Sequence, residues 1–252
     1  MQVSALGLGT VKFGRNQGVK YPRPFALPSD AEIHDLLDLA RDLGVNLLDT
    51  APAYGTSEQR LGQLLRGRRQ DWIVATKVGE TFHDGESQFD FSAAATRSSV
   101  ERSLRRLATD WLDVVLIHSN GGDEEILREQ GALEALLELK DEGRVRAVGM
   151  STKTVSGGRL AVQCCDLVMV TYNLQQRDDL PVIRAAHEAR KGILIKKGLI
   201  SGHLDLSRGA DPVEEALRMI FDEPGTSSVV VGTLNPSHLR SNVAAADRVL
   251  AP

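Results

Sequence analysis

The chain has 252 residues and a formal net charge of -4, and 42% of its residues are hydrophobic and 25% charged. Its length is typical of one (β/α)8 barrel and its composition is that of a globular protein, which disfavours disordered, fibrous and membrane classes. No block of like charges and no long apolar run occurs in the sequence, so neither a nucleic acid nor a membrane is an expected partner.

Short apolar runs rich in β-branched residues alternate with amphipathic segments along the chain. This pattern predicts repeated βαβ units around a parallel sheet. The predicted strands, in chain order, are Ala5–Gly9, Val45–Asp49, Trp72–Lys77, Asp113–His118, Arg146–Gly149, Leu167–Thr171, Gly192–Lys196 and Ser228–Val231. Because eight parallel strands close a barrel, we predict an α/β protein with the (β/α)8 (TIM) barrel fold, in a single domain over residues 1–252.

Helices and loops are predicted between these strands. The helices with the clearest signals, apolar spacing followed by a glycine, are Asp30–Leu43 before Gly44, Ser57–Arg66 before Gly67, and Glu124–Asp141 before Gly143. Each glycine stands where a left-handed residue would end a helix. The segments Gly14–Pro28 and Gly79–Asp90 are predicted to be long irregular loops. Because both follow strands, they should lie at the C-terminal end of the barrel.

Three predicted strands end in an ionisable residue, namely Asp49, Lys77 and His118, and Tyr54 follows the first of them on a turn. In a parallel barrel these strand ends meet on one face. A phenol with a pKa of about 10 is a weak acid near neutrality. We therefore expect Asp49 to hold Lys77, Lys77 to lower the pKa of Tyr54, and His118 to polarise a carbonyl group. Each residue alone is more often structural, but their joint occurrence indicates proton transfer.

The sequence around these residues resembles the aldo-keto reductase family from Gly7 to about Ala246. The stretches that carry the resemblance are Leu6–Thr10, Leu48–Glu58, Ala75–Gly79, Leu112–His118, Gly143–Ser151, Tyr172–Leu174 and Gly232–Pro236. The resemblance implies an oxidoreductase that reduces aldehydes or ketones to alcohols, with hydride from NADPH, or from NADH as the alternative, and a proton from Tyr54. It implies a small carbonyl compound as substrate and no obligatory protein partner. The family's catalytic positions fall on Asp49, Tyr54, Lys77 and His118.

The resemblance also implies a set of cofactor-binding residues. These are Gly9, Thr10, Asp49, Ser151, Thr152, Lys196, Lys197, Gly198, Leu199, Gly232, Thr233, His238, Arg240 and Asn242. Ser151 matches the serine that bonds the nicotinamide carboxamide, and Thr152 takes the place of the usual Asn. The aromatic residue that often stacks on the nicotinamide is replaced within Ile195–Lys197.

The same comparison leaves the choice of nucleotide open. Gly232 and His238 occupy positions where Lys and Arg commonly hold the 2′-phosphate of NADPH. Because a phosphate needs cationic donors, Arg240 is the candidate substitute, close to the predicted start of the last helix at Pro236 and Ser237.

Two alternative functions stay open at this point. One is a phosphate-binding isomerase or lyase on the same barrel, in which the phosphate would be held by Lys196, Lys197, Gly198 and Gly232. The other is a non-catalytic, nucleotide-binding regulatory subunit of the same fold. The first leaves Tyr54 without a role, and a complete catalytic group argues against the second.

Neither a metal site nor a disulfide is indicated. His34, His187 and His203 lack the spacing of a metal site, so no metal is predicted. Cys164 and Cys165 are adjacent, a spacing that rarely allows a disulfide between them, and no secretory signal is recognised in the sequence. We therefore expect a cytoplasmic protein.

Overall fold

The computed structural model describes residues 1–19, 21, 24–202 and 211–251. The strands are β1 (Leu6–Gly9), β2 (Leu47–Asp49), β3 (Ile73–Val78), β4 (Glu80–His83), β5 (Glu86–Phe89), β6 (Leu112–His118), β7 (Val145–Ser151), β8 (Leu167–Thr171), β9 (Gly192–Lys196) and β10 (Ser228–Val231). Eight of them form a closed parallel barrel in the order β1-β10-β9-β8-β7-β6-β3-β2. The predicted (β/α)8 fold is therefore confirmed.

Helices surround this barrel. They are α1 (Val11–Gly14), α2 (Asp30–Asp42), α3 (Ser57–Leu64), α4 (Ala93–Leu107), α5 (Asp123–Arg128), α6 (Ala132–Asp141), α7 (Val155–Cys164), α8 (Leu180–Glu188), α9 (Pro212–Phe221) and α10 (Pro236–Leu250). Helix α2 begins with a capping box in which Ser29 and Glu32 satisfy each other's backbone amides. Gly44, Gly67 and Gly143 all have positive φ angles, as predicted. Among the described residues, none of these helices has the length and apolar character that crossing a bilayer requires.

The barrel interior is filled by side chains. A compact cluster inside it comprises Leu47, Ala75, Val114, Leu116, Leu167, Met169 and Leu194. A second, larger apolar layer lies between the strands and the helices. Burial on both faces explains why the strands read as continuous apolar runs. Because the interior is packed, a ligand has room only at an end of the barrel.

The prediction of one helix over Glu124–Asp141 is wrong, because the structure has two helices there. Gly131 separates α5 from α6 with a φ of +86°, and a Cβ atom at this position would lie 3.3 Å from the Cβ of Ala93. Leu137 on the second of these helices is 38% exposed.

The segment Gly79–Asp90 was expected to be irregular, and it forms an antiparallel hairpin instead. Strands β4 and β5 pair from Glu80 opposite Phe89 to His83 opposite Glu86. The two turn residues, Asp84 and Gly85, have φ angles of 51° and 89°. Two consecutive positive φ angles are the geometry that an Asp-Gly pair favours in a tight hairpin.

Candidate active site

A large cavity of ≈ 1290 Å³ opens at the C-terminal end of the barrel. Its wall includes the last residue of seven strands, namely Gly9, Asp49, His118, Ser151, Thr171, Lys196 and Val231. Sites for one small molecule usually occupy about 300–1,000 Å³. This cavity therefore has room for a nucleotide and a further small molecule together.

A buried ion pair lies under one side of the cavity. The ammonium of Lys77 donates to Asp49 Oδ1 at 2.6 Å and to the carbonyl oxygen of Thr50 at 2.8 Å. Lys77 is 1% exposed and Asp49 4% exposed. The parallel pairing of Asp49 with Ala75 leads to this contact, because Lys77 points to the same face of β3 as Ala75.

Tyr54 stands on the turn after β2 and joins this pair to His118. The Asp49 carboxylate acts on the phenol and raises its pKa, and the Lys77 ammonium lies 4.8 Å from the centre of the tyrosine ring. The rings of Tyr54 and His118 meet edge to face, with centroids 6.4 Å apart. The structure thus brings together all four residues that the sequence selected for catalysis.

The electrostatics of Tyr54 differ from the expectation in direction. Burial, reinforced by the carboxylates of Asp49 and Glu80, raises the pKa of the phenol well above its ordinary value, and the Arg15 guanidinium only partly opposes this. The expectation was that Lys77 would lower it. The Lys77 ammonium is paired with Asp49, and the raised pKa keeps the phenol protonated at neutral pH. A protonated phenol is the form that a proton donor requires.

His118 has a partner that the sequence did not reveal. Its Nδ1 lies 2.6 Å from Glu80 Oε2, a close contact that lacks the direction of a full hydrogen bond. Burial lowers the pKa of His118, and the Glu80 carboxylate partly opposes this. Burial alone would raise the pKa of Glu80, but His118, Ser87 and Arg15 outweigh it and bring the pKa to about 2. Glu80 is therefore ionised at any physiological pH.

Glu80 reaches the site because it opens the β4–β5 hairpin, three residues after Lys77. The Ser87 hydroxyl on the opposite strand donates to Glu80 Oε1 at 2.6 Å and holds the carboxylate in place. The Asp84-Gly85 pair in the sequence could have predicted this hairpin. The contact between Glu80 and His118 has no local signal, because 38 residues separate them in the chain.

The wall of the cavity also contains Lys196 and Thr152, and the buried hydroxyl of Thr152 has no hydrogen-bond partner among the described residues. The Lys196 ammonium donates to Ser151 Oγ at 2.8 Å and to the carbonyl oxygen of Thr152 at 2.7 Å. Burial lowers the pKa of Lys196 to about 7, Lys197 adds to this, and Asp179 partly opposes it.

The loop after β7 that carries these groups is fixed by Asp123. Its Oδ2 accepts the backbone N–H groups of Lys153 at 2.9 Å and Thr154 at 2.7 Å, and its Oδ1 accepts the hydroxyl of Ser119. Asp123 is 1% exposed. The position of Ser151 and Thr152 is therefore set by the fold before any ligand binds.

Most of the remaining predicted cofactor residues line the cavity. They are Gly9, Lys197, Leu199, Gly232, Thr233, His238 and Asn242. Ser241, which the sequence did not single out, lines it as well. His238, Ser241 and Asn242 share one face of α10, because residues three and four apart lie side by side on a helix.

Three predicted cofactor residues do not line the cavity. Thr10 is fully buried, and its hydroxyl bonds to the Asp49 carbonyl oxygen and to Ser57. Gly198 packs against the side chain of Val229. Arg240 is exposed and follows His238 by two residues, which places it about 200° further around α10. Its position argues against the expected contact with a 2′-phosphate.

The loop Gly14–Pro28 contributes to the cavity wall, as its expected location implies. Tyr21, Pro24 and Phe25 line the cavity, and the Lys12 ammonium lies 4.0 Å from the centre of the Tyr21 ring. Three residues of this loop, Lys20, Pro22 and Arg23, lie outside the described residues.

Within residues 1–19, 21, 24–202 and 211–251, no group of three or more His, Cys, Asp or Glu side chains has a metal-binding arrangement. His203, considered with the other histidines above, falls outside those ranges.

A (β/α)8 barrel with a tyrosine, an ion pair and a histidine at its C-terminal end defines a class of oxidoreductase. The chain belongs to the aldo/keto reductase family, whose model matches residues 5–195. It is similar to a solved structure from Pseudomonas aeruginosa assigned to the aldo-keto reductases, with a TM-score of 0.90 and 52% identity over 98% of this chain and 91% of that one.

Two curated relatives resemble the chain over most of its length. An oxidoreductase of Bacillus subtilis is 28% identical over 98% of this chain and 88% of its own length. Pyridoxine 4-dehydrogenase of Escherichia coli is 28% identical over 96% of this chain and 89% of its own length. These relatives support a general oxidoreductase activity.

Proposed function

We propose that this protein reduces small aldehydes or ketones to alcohols, with a nicotinamide nucleotide as hydride donor and Tyr54 as proton donor. The observation that carries the proposal is the position of the Tyr54 ring in the cavity wall, 4.8 Å from the buried Lys77 ammonium and edge to face with His118. We further propose that it acts in the cytoplasm without an obligatory protein partner. The free thiols of Cys164 and Cys165 suit that reducing compartment.

The residues present fit a nicotinamide carboxamide. That group offers both hydrogen-bond donors and an acceptor. Ser151 and Thr152 present two hydroxyls at one edge of the cavity, and the hydroxyl of Thr152 is buried without a partner. A buried hydroxyl left unpaired costs about 1–3 kcal/mol, so a ligand that bonds to it recovers this free energy on binding.

A reduced nicotinamide bound there would supply the hydride, and the residues of the chain supply the rest. His118 is placed to donate a hydrogen bond to the substrate oxygen and orient it toward Tyr54. Tyr54 holds its proton at neutral pH and transfers it to that oxygen as negative charge develops. The phenolate that remains is stabilised by the nearby ammonium of Lys77, which Asp49 keeps in place.

We propose NADPH as the preferred nucleotide, with NADH as the alternative. The basic side chains in the cavity wall include Lys12, Lys153, Lys197 and His238. Of these, His238 lies in the first turn of α10, where the helix N-terminus also favours an anion. With Arg240 directed away, His238 is the residue best placed to contact a 2′-phosphate.

Replacing Tyr54 by Phe tests the proposal. We expect turnover of a generic aldehyde such as nitrobenzaldehyde, followed by the decay of NADPH absorbance, to fall by more than ~100-fold. The affinity for NADPH should change little, because the phenol acts on the substrate oxygen. A matched control is Tyr21→Phe, which removes a second phenol from the cavity wall and should retain most of the activity.

A Tyr54→Phe variant that keeps most of its turnover contradicts the assignment of Tyr54. A wild-type protein that binds NADPH but reduces none of a panel of aldehydes and ketones supports the regulatory-subunit alternative instead.

A further inference from the structure

Lys196 is a basic side chain of the cavity wall to which the proposed reaction gives no role. It is the last residue of β9, and its ammonium is held by Ser151 and by the backbone of Thr152. Its charge also acts on the catalytic group, because it lowers the pKa of His118. A charged amine in this position carries a desolvation cost. A hydrogen bond to Ser151 does not require a charged side chain, so the positive charge itself needs a functional explanation.

The position of Lys196 is unusual for the site proposed above. The resemblance implies an aromatic side chain within Ile195–Lys197, where it would stack on the nicotinamide, and the chain has none there. Lys196 is the member of this segment whose side chain reaches the Ser151 hydroxyl. An ammonium hydrogen-bonded to that hydroxyl lies next to whatever group the hydroxyl binds.

We propose that Lys196 makes the protein discriminate between the redox states of its nucleotide, so that it binds the reduced form and disfavours the oxidised form. This inference rests on the proposed function, because it requires a nicotinamide beside Ser151. Loss of a hydride turns the neutral dihydronicotinamide ring into a cation. A fixed positive charge beside the ring repels the cation and leaves the neutral ring almost unaffected.

The consequence is a site that is occupied mainly by reduced nucleotide when both forms are present. The oxidised product is released readily, so it is a weak inhibitor. Because a binding ratio and a redox equilibrium are linked, the bound couple has a more positive reduction potential than the free couple.

The neighbouring charges determine whether Lys196 is protonated. Lys197 and Lys77 favour its neutral form, whereas Asp179 and Asp123 favour the ammonium. The phosphates of a bound nucleotide add negative charge to the same cavity and so favour the ammonium further. Because the pKa of Lys196 is about 7, the amine is mostly protonated at pH 6, and binding should be measured at that pH.

The test is to measure the dissociation constants of NADPH and NADP⁺ at pH 6 by fluorescence or calorimetric titration, without substrate. Wild type should bind NADPH more tightly. Lys196→Met removes the charge, and Lys196→Gln does so while keeping groups that can hydrogen-bond to Ser151. In both, the ratio of the NADP⁺ to the NADPH constant should fall by ~10-fold or more, a change of about 1.4 kcal/mol per factor of ten.

Two controls separate charge from structure. Lys196→Arg keeps a cation and should keep most of the wild-type ratio. Lys153→Met removes an exposed cation from the same cavity wall, and solvent screening should make it change both constants alike.

An unchanged ratio in both neutral variants overturns the role of Lys196, as does an equal change of the ratio in Lys153→Met. If wild type binds neither nucleotide, the proposed function itself fails, and that outcome is distinct from nucleotide binding without discrimination.

Discussion

Asp113 and Asp49 are both buried carboxylates paired with a cation, but they lie at opposite ends of the barrel. Asp113, near the start of β6, is 2% exposed. It accepts hydrogen bonds from Arg69 at 2.6 Å, Arg146 at 2.9 Å, the Trp111 indole at 3.2 Å and the Val74 amide at 3.1 Å. The protein thus satisfies this carboxylate from four directions.

Asp49, at the end of β2, has fewer partners and borders the cavity. Lys77 is its ion-pair partner, and the Asp49 carboxylate raises the pKa of the nearby Tyr54 phenol. The phenol is also in the cavity wall, where a substrate can compete for it. The Asp113 carboxylate has all its hydrogen bonds within the protein and therefore stabilises the fold. The Asp49 carboxylate lies beside a group that can bind a substrate instead, so it is able to take part in the reaction. Both are aspartate carboxylates, and only their surroundings differ.

The largest expected effect concerns Asp113. Asp113→Ala leaves Arg69 largely buried without its carboxylate, and breaking a buried pair typically costs about 3–5 kcal/mol. We expect the free energy of unfolding in urea to fall by that amount, while turnover per folded molecule stays near the wild-type value. Asp113→Asn keeps an acceptor and should lose less. A loss of turnover with unchanged stability would contradict the structural role.

The comparison predicts coupling in turnover for the other pair. In a double-mutant cycle of Asp49→Asn and Lys77→Met, each single change should forfeit most of what both forfeit, with a coupling of about 1–3 kcal/mol in kcat/KM. The same cycle on Arg69 and Asp113 serves as control and should show coupling in stability only. Simple additivity for Asp49 and Lys77 would mean that they do not act as a unit.

Glu80 extends the comparison to a third carboxylate, partly buried and at the catalytic end. It raises the pKa of His118 and that of Tyr54, so its removal lowers both. The pH profile of kcat/KM should have one limb set by His118 and one set by Tyr54. Glu80→Gln should therefore move both limbs to lower pH and reduce kcat/KM at pH 7 by ~10-fold.

The matched control for Glu80 is Glu86→Gln, which removes an exposed carboxylate from the same hairpin. It should leave both limbs in place. A Glu80→Gln profile that loses amplitude without moving along the pH axis would indicate that Glu80 acts only by holding the hairpin.

The smallest expected effect concerns the choice of nucleotide, at the solvent edge of the same end. His238→Ala should weaken NADPH binding about fivefold, the roughly 1 kcal/mol of one exposed hydrogen bond, and leave NADH nearly unchanged. Arg240→Ala should change neither constant, because Arg240 is turned away from the cavity. If Arg240→Ala weakens NADPH selectively, the original sequence-based assignment is correct and His238 is not the contact.

The sequence predicted that the four proposed catalytic residues lie together because the required information is local. Asp49, Lys77 and His118 each end an apolar run that reads as a buried strand, and parallel strands in a barrel all end on one face. Their convergence follows from topology alone. Tyr54 lies close enough to Asp49 along the chain that a short turn brings it to the same face.

The positions that sequence reasoning misplaced depend on contacts between distant segments. Thr10 matches a family position, yet its hydroxyl is consumed by Asp49 and Ser57. The direction of Arg240 depends on which face of α10 packs against the barrel. The break at Gly131 comes from a close approach to Ala93 in another helix.

The sequence by itself therefore determined the eight-stranded barrel and the end at which its chemistry lies, because the strand pattern and the residues that end each strand are local properties of the chain. Only the tertiary structure decided the state of those groups. It set the raised pKa of Tyr54, the contact of Glu80 with His118 and the setting of Lys196. Burial and charge act through space, and residues far apart in the chain supply them.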